Sequence, residues 1–382
     1  MTATLQSQID VETTVRSRYS EGAKSLQPEL CCPVSYDPHF LKVIPQDVLD
    51  RDYGCGDPSR SVREGEVVLD LGSGTGKIAF IAAQIVGPLG RVIGVDINDD
   101  MLSVARDAQR QVASAVGYDV VSFRKGRIQD LALNLDALDA WLACNPIQDL
   151  HGYDRLQVEI ARLRNDQPLI PSESVDVVVS NCVLNLVSEA EKGRMFQEIH
   201  RVLRRGGRAV ISDIVSDREV PEHLRQDPDL WSGCISGAFQ EEAFLKSFED
   251  AGFYGITLEK RDAEPWRVVE GIAFRSVTVI AYKGKEGACW DHGQAVIYKG
   301  PWKEIVDDDG HVLHRGMPTA VCEKTFQIYC REPYAHQFEY LAPEVPPVEI
   351  LPFACGIGSP RRDGAGLNGL HGSGSCGPNG CC

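Results

Sequence analysis

A run of glycines behind an acid limits this chain more than any other feature. Asp70-Leu71-Gly72-Ser73-Gly74-Thr75-Gly76 follows the short apolar run Val67–Leu71 and precedes KIAFIAAQIVG, whose apolar residues recur at helical spacing. Glycines at such a strand-to-helix joint let the backbone turn tightly and come close to a ligand. The alternation then repeats. RVIGVDIN reads as a second strand ending at Asp96, and DDMLSVARDAQRQVASAVG as a helix capped by Asn98 or Asp99 and closed at Gly117. VVSFRKGRIQDL, SVDVVVSNCVLNL and RAVISDIV supply a third, fourth and fifth strand. The helix EAEKGRMFQEIHRVLRRGG, closed by Gly206–Gly207, precedes the fifth. Strands alternating with helices predict an α/β domain, with a mainly parallel sheet covered by helices on both faces.

The rest of the chain divides by texture. Residues 1–62 read as an N-terminal arm with cysteine-containing loops, and 63–284 as the α/β domain. Residues 285–355 read as a small β-containing C-terminal domain, and 356–382 as a Gly/Cys-rich flexible tail. Inside the α/β domain, 131–170 is an insertion predicted to form two helices over the sheet edge, where they could cover the mouth of an active site. FRSVTVIAYKG alternates as a strand that would close the sheet. A chain of 382 residues can bury a large core without a disulfide or metal. Its 39 basic and 55 acidic residues leave a net charge of −16, which argues against nucleic acid and against a polybasic membrane anchor. The first twenty residues carry no apolar leader block, and no run approaches the roughly 18 apolar residues of a membrane span. We therefore expect a cytoplasmic monomer with reduced thiols. Its thirteen cysteines are an odd number and cannot all pair internally.

Two ligand classes compete for the glycine loop. Dinucleotide enzymes use G-x-G-x-x-G against a pyrophosphate. Here an acid stands just before the glycines, where it would repel a pyrophosphate but suit the positive amino end of an aminoacyl group. The D-x-G-x-G-x-G pattern, with a second acid at Asp96, resembles the first motif of the class I S-adenosylmethionine-dependent methyltransferases over about 63–215. That resemblance implies a Rossmann-like methyltransferase sheet. It also implies that Asp70, Gly72, Gly74 and Gly76 hold the methionine moiety and Asp96 the ribose. Ile97, Arg127 and Ile128 would flank the adenine, and Asn181 and Val183 would close the crevice at the end of the fourth strand.

A methyltransferase fold does not identify its acceptor. Oxygen and nitrogen acceptors usually need a general base, yet the fourth strand ends in Ser180-Asn181-Cys182-Val183. Other cysteines also sit beside glycines or prolines: Cys31-Cys32, Gly54-Cys55-Gly56 and Gly233-Cys234. Structural zinc favours closely spaced cysteine pairs, which Cys31, Cys55, Cys182 and Cys234 do not form, so zinc would need long-range assembly. Trivalent arsenic is a soft alternative. It takes three sulfur ligands and keeps a lone pair that can attack a methyl sulfonium without a general base.

The blocks YGCG, LDLGSG, VVSNCVLNLV, HRVLRRGG, SDI and LWSGCISGA, followed by a cysteine-rich end, resemble the arsenite S-adenosylmethionine methyltransferases. The resemblance runs from about 31 to 300 and returns at the tail. It implies that Cys182, Cys234 and Cys55 bind arsenite, the last two thirds of that set lying in the 216–250 segment and the YGCG loop. The most N-terminal functional thiol falls on Cys31 or Cys32, and we take Cys32. An external thiol system, thioredoxin or glutathione, would reduce the disulfide formed among Cys32, Cys55 and their neighbours. In the tail, Cys381 and Cys382 with Cys376 could capture arsenite. Cys144 and Cys289 read as isolated packing residues, and Cys322, Cys330 and Cys355 as packing in the small domain. The rival functions are methylation of another small molecule, such as a quinone or sterol, and arsenite sequestration without catalysis.

Overall fold

A computed structural model of the chain describes residues 2–25, 27, 34–343, 347–355, 362–363 and 366–367. Cys31, Cys32, Cys376, Cys381 and Cys382 lie outside the described residues. The described chain divides into two compact units. One comprises residues 1–252 and 256–283, and the other residues 253–255 and 284–382.

The first unit is built on strands β1 (Val67–Leu71), β2 (Arg91–Asp96), β3 (Val121–Lys125), β4 (Val175–Asn181), β5 (Leu203–Ser216), β6 (Tyr254–Arg261) and β7 (Ile272–Tyr282). Their order is 3-2-1-4-5-7-6. The first five pair in parallel, and β7 runs antiparallel to β5 from Arg208↔Tyr282 to Ser216↔Phe274. Val68, Val177, Val178 and Val179 are fully buried, which is why the central strands read as continuous apolar runs.

Helix Lys77–Val86 follows the glycine loop and buries Phe80 and Ile81. Helix Asp99–Val116 starts where the Asn98 side chain accepts from the amides of Asp100 and Met101, and stops at Gly117 with φ +89°. The insertion holds helices Leu135–Cys144 and Leu150–Asp166, which pack around Leu133, Leu135 and Leu163.

One boundary differs from the sequence reading. The helix before β5 spans Glu189–Val202 and stops short of Gly206–Gly207. The Arg204–Gly207 segment instead forms a bulge, because pairing with β4 jumps from Val175↔Leu203 to Val177↔Arg208. The N-terminal segment forms helix α1 (Thr2–Gly22) and belongs to the same unit as the sheet.

The second unit carries a three-stranded antiparallel sheet in the order Pro318–Ala320, Ala295–Tyr298, Phe338–Leu341. Helix Glu323–Tyr329 belongs to it, and Tyr329 stacks on Phe338 with ring centroids 4.5 Å apart. Among the described residues no helix is long and apolar enough to cross a membrane.

Candidate active site

A cavity opens at the C-terminal ends of β1, β2 and β4, where the strand order reverses. Asp70, Gly72, Gly74, Asp96, Ile97, Arg127, Ile128, Asn181 and Val183 line it. Gly76 does not. It caps the next helix at φ +93°, and a Cβ there would meet the Phe123 ring at 2.7 Å, so its glycine answers to packing. At Gly72 a Cβ would come within 2.4 Å of the Val183 side chain. At Gly74, with φ +50°, a Cβ would meet no protein atom within 4 Å, leaving its space free for a ligand.

The cavity wall is rich in acids. Burial, then Asp52 and Asp96 nearby, push the Asp70 carboxyl well above the usual carboxylate range. Burial also raises Asp96, although its oxygens accept from the amides of Gly74 at 2.9 Å and Asn98 at 2.8 Å. The Ser73 hydroxyl is buried beside Gly94 and has no hydrogen-bond partner among the described residues.

The mouth is bordered by α1 rather than by the insertion. Glu12, Val15, Arg16 and Tyr19 line the cavity, whereas no residue of 131–170 does. The Asn98 amide group donates to the Arg16 carbonyl at 3.0 Å, and Glu12 lies 3.5 Å from Arg127. The inserted helices pack around Leu133, Leu135 and Leu163, with Ile97 of the cavity wall against the same cluster.

Cys182 follows β4 and lines the same cavity. Cys55 and Cys234 do not line it, but all three cysteines belong to one buried apolar cluster with Ile214, Ile235 and Phe274. Cys55 and Cys182 are joined by a disulfide, their Cα atoms 5.7 Å apart across 127 residues of sequence. The reading of uniformly reduced thiols is therefore corrected for this pair. Asn181 is the physical reason for its closeness. Its Oδ1 accepts from the amides of Cys55 at 2.9 Å and Gly56 at 3.0 Å, and its Nδ2 donates to the Gly56 carbonyl at 2.8 Å. The flanking glycines allow this docking. A Cβ at Gly54 would lie 2.1 Å from Asn181 Nδ2, and one at Gly56 2.4 Å from Ser212 Oγ.

Cys234 is buried, and its thiol donates to the Cys182 carbonyl at 3.4 Å. The Tyr19 hydroxyl of α1 lies 4.0 Å from its sulfur. Arg18 fixes the preceding turn by donating to the Asp229 carbonyl and Ser232 Oγ, both at 2.8 Å. Cys182 and Cys234 have φ of +59° and +60°. Only two other non-glycine residues among those described, Glu173 and Glu270, share that region. Strained backbone of this kind concentrates where a site over-determines a side chain's direction.

Asp213 completes the cluster, since one of its carboxylate oxygens and the sulfurs of Cys55 and Cys182 lie within 4.8 Å of one another. Burial pushes its carboxyl up to about 7, against the hydrogen bonds it accepts from the amides of Ile214 and Leu184 and from Asn185.

Residues 63–150 and 143–252 match the model of a methyltransferase domain, and 285–366 match a domain family of unknown function. An arsenite methyltransferase of Aquipseudomonas alcaligenes is 31% identical over 337 residues, covering 84% of this chain and 87% of its own length. This chain belongs to the arsenite methyltransferase family. The arsenite methyltransferase of Mus musculus is 28% identical over 350 residues, covering 86% of this chain and 83% of its own. The crystal structure of CrArsM, an arsenic(III) S-adenosylmethionine methyltransferase from Chlamydomonas reinhardtii, is 26% identical with a TM-score of 0.55. It covers 82% of this chain and 98% of its own.

In this member of the arsenite methyltransferase family, sequence reasoning missed three residues at the site. Asp213 was signalled by an acid inside the apolar run VISDIV. Asp52, which pairs with Lys77 at 2.9 Å beside the glycine loop, and Tyr19 had no local signal, because only the tertiary fold brings them in.

Proposed function

We propose that this chain transfers a methyl group from S-adenosylmethionine to trivalent arsenic held by Cys55, Cys182 and Cys234. The observation that carries the reading is the meeting of these three cysteines in one buried cluster, with Cys182 on the wall of the glycine-loop cavity. The residues present fit the donor. The acid-rich wall of Asp52, Asp70 and Asp96 suits its ammonium group, and the free space at Gly74 suits the close approach of a ligand. S-adenosylmethionine, when bound, supplies an electrophilic methyl group on a sulfonium, and trivalent arsenic supplies the lone pair that takes it.

The protein's part is to hold and reset the sulfurs. A thiol reductant such as thioredoxin or glutathione first opens the Cys55–Cys182 disulfide, giving two thiols and an oxidised reductant. Arsenite then exchanges its three hydroxyls for three protein sulfurs, and the thiol protons leave in three waters. Asp213, partly protonated near neutrality, keeps a full negative charge away from those sulfurs. After methylation, Cys55 and Cys182 rejoin as a disulfide and return two electrons to arsenic. Methylated trivalent arsenic stays on Cys234, with water taking an open position and losing a proton. The pair that would close in this step is the pair bonded in the structure. Cys32 would serve in further rounds.

The test is the double variant Cys182→Ser/Cys234→Ser, assayed with arsenite, methyl donor and thiol reductant. Methylated arsenicals should fall by about two orders of magnitude, the scale of a lost positioning contact. Donor binding by calorimetry should stay within about three-fold, since neither thiol holds the donor in this reading. Methylation at the parental rate would exclude these ligands.

A further inference from the structure

The C-terminal unit gathers a second set of sulfurs. Cys289, Cys322 and Cys355 come from three segments spaced 33 residues apart (322 − 289 and 355 − 322), yet their sulfur atoms all lie within 4.8 Å of one another. This corrects the reading of Cys289 as isolated and of Cys322 and Cys355 as mere packing.

The cluster is held by backbone structure. Trp290–Asp291 pairs antiparallel with Leu351–Pro352, and the Phe353 amide donates to the Cys289 carbonyl at 2.9 Å. That pairing sets the Cys289 and Cys355 segments side by side. Cys322 is fully buried against Ala320 and Phe353, and its sulfur accepts from the Thr325 amide at 3.4 Å. Lys324 donates to the Gly287 carbonyl at 3.1 Å, tying the Cys322 turn to the loop before Cys289. Cys289 and Cys355 are partly exposed, whereas Cys322 is buried.

The composition of the group selects its occupant. Among the described residues no histidine or carboxylate joins the three sulfurs within that distance. Structural zinc takes four protein ligands in a tetrahedron, and the described residues supply three. Trivalent arsenic needs three sulfurs and carries its lone pair where a fourth ligand would stand.

We propose that Cys289, Cys322 and Cys355 form a trithiol site that retains trivalent arsenic, separate from the thiols of methyl transfer. Binding exchanges three arsenite hydroxyls for three sulfurs and releases three waters, with no change of oxidation state. The proposal rests on the function above only for the identity of the metalloid. The second unit carries none of the glycine-loop residues, so arsenic held there is bound and not methylated by that unit.

The test uses full-length chain in which Cys31, Cys32, Cys55, Cys182, Cys234 and the three tail cysteines are serine, reduced with a phosphine. Arsenite is added, unbound arsenite is removed by gel filtration, and arsenic per chain and its neighbours are read by mass spectrometry and X-ray absorption. One arsenic with three sulfur neighbours is expected. Adding Cys289→Ser, a partly exposed position, should weaken retention by at least about ten-fold with an unchanged circular dichroism melting curve. In parallel, the otherwise native chain should lose one of its bound arsenic equivalents on Cys289→Ser/Cys355→Ser while methylation persists. Retention unaffected by both sets of substitutions would overturn the proposal. So would zinc bound at one per chain that excess arsenite does not displace. Loss of methylation with this site still loading would count against the proposed function alone.

Discussion

Asn181 has four hydrogen-bonding positions, and the protein fills all of them. Its oxygen takes the amides of Cys55 and Gly56, and its amide group serves the Gly56 carbonyl and the Tyr36 hydroxyl, the last at 3.2 Å. The side chain therefore has no capacity left for the methyl donor, although it borders the donor cavity. Its work is to clip the Cys55 loop to the end of β4. Asn181→Ala strands two buried amides, each costing about 1–3 kcal/mol, and frees Cys55 from Cys182. Arsenite affinity should drop about ten-fold and the melting temperature by several degrees, with the dissociation constant for S-adenosylmethionine moving less than about three-fold. Calorimetric titration of each ligand separates the two roles. A large loss of donor affinity with arsenite unchanged would return Asn181 to the cofactor.

Among the elements, α1 does most that the sequence does not announce. It lines the donor cavity through Arg16 and Tyr19 and reaches the acceptor side through Arg18 and Tyr19. Burial, with Cys234 beside it, keeps the Tyr19 hydroxyl protonated far above neutrality, so it remains a donor toward the Cys234 sulfur. A donated hydrogen bond favours a thiolate over a thiol. Capture runs through the thiolate but releases no net proton, so Tyr19→Phe should slow arsenite capture several-fold, and more at pH 6.5 than at pH 8.5, where thiolate forms more readily unaided. Equal slowing at both pH values in stopped-flow capture kinetics would assign Tyr19 to packing alone. The five parallel strands were legible because strands buried on both faces become apolar runs. The edge strand β6 was not, since half of YGITLEKR is exposed and it shows no such run. The helix before β5 also misled, because Arg204–Gly207 looks like a helix end but folds as a bulge. Cys55, Cys182 and Cys234 stood out through their glycine and strand-end settings. Cys289, Cys322 and Cys355 carry no short-range pattern, since their meeting depends on strand pairing between distant segments.

The whole molecule is strongly acidic, with a net charge of −16, and that charge should act differently on the two ligands. Arsenite is a neutral acid near pH 7, so the long-range field of the protein cannot steer it. S-adenosylmethionine carries a sulfonium and an ammonium against one carboxylate, a net positive charge that an acidic surface attracts. At low salt this attraction reaches well beyond contact distance, because the screening length is about 30 Å at 0.01 M and about 10 Å at 0.1 M. Raising salt from about 10 mM to about 300 mM should therefore raise KM for the donor by about two-fold or more. KM for arsenite should stay flat over the same range if the acceptor enters as the neutral acid and is captured by thiols rather than by charge. Steady-state kinetics at fixed pH, with reductant held constant, reads both at once. An arsenite KM that climbs in parallel with that of the donor would mean that a charged form of the acceptor is being recognised, and the neutral, thiol-driven capture proposed for this site would have to be given up.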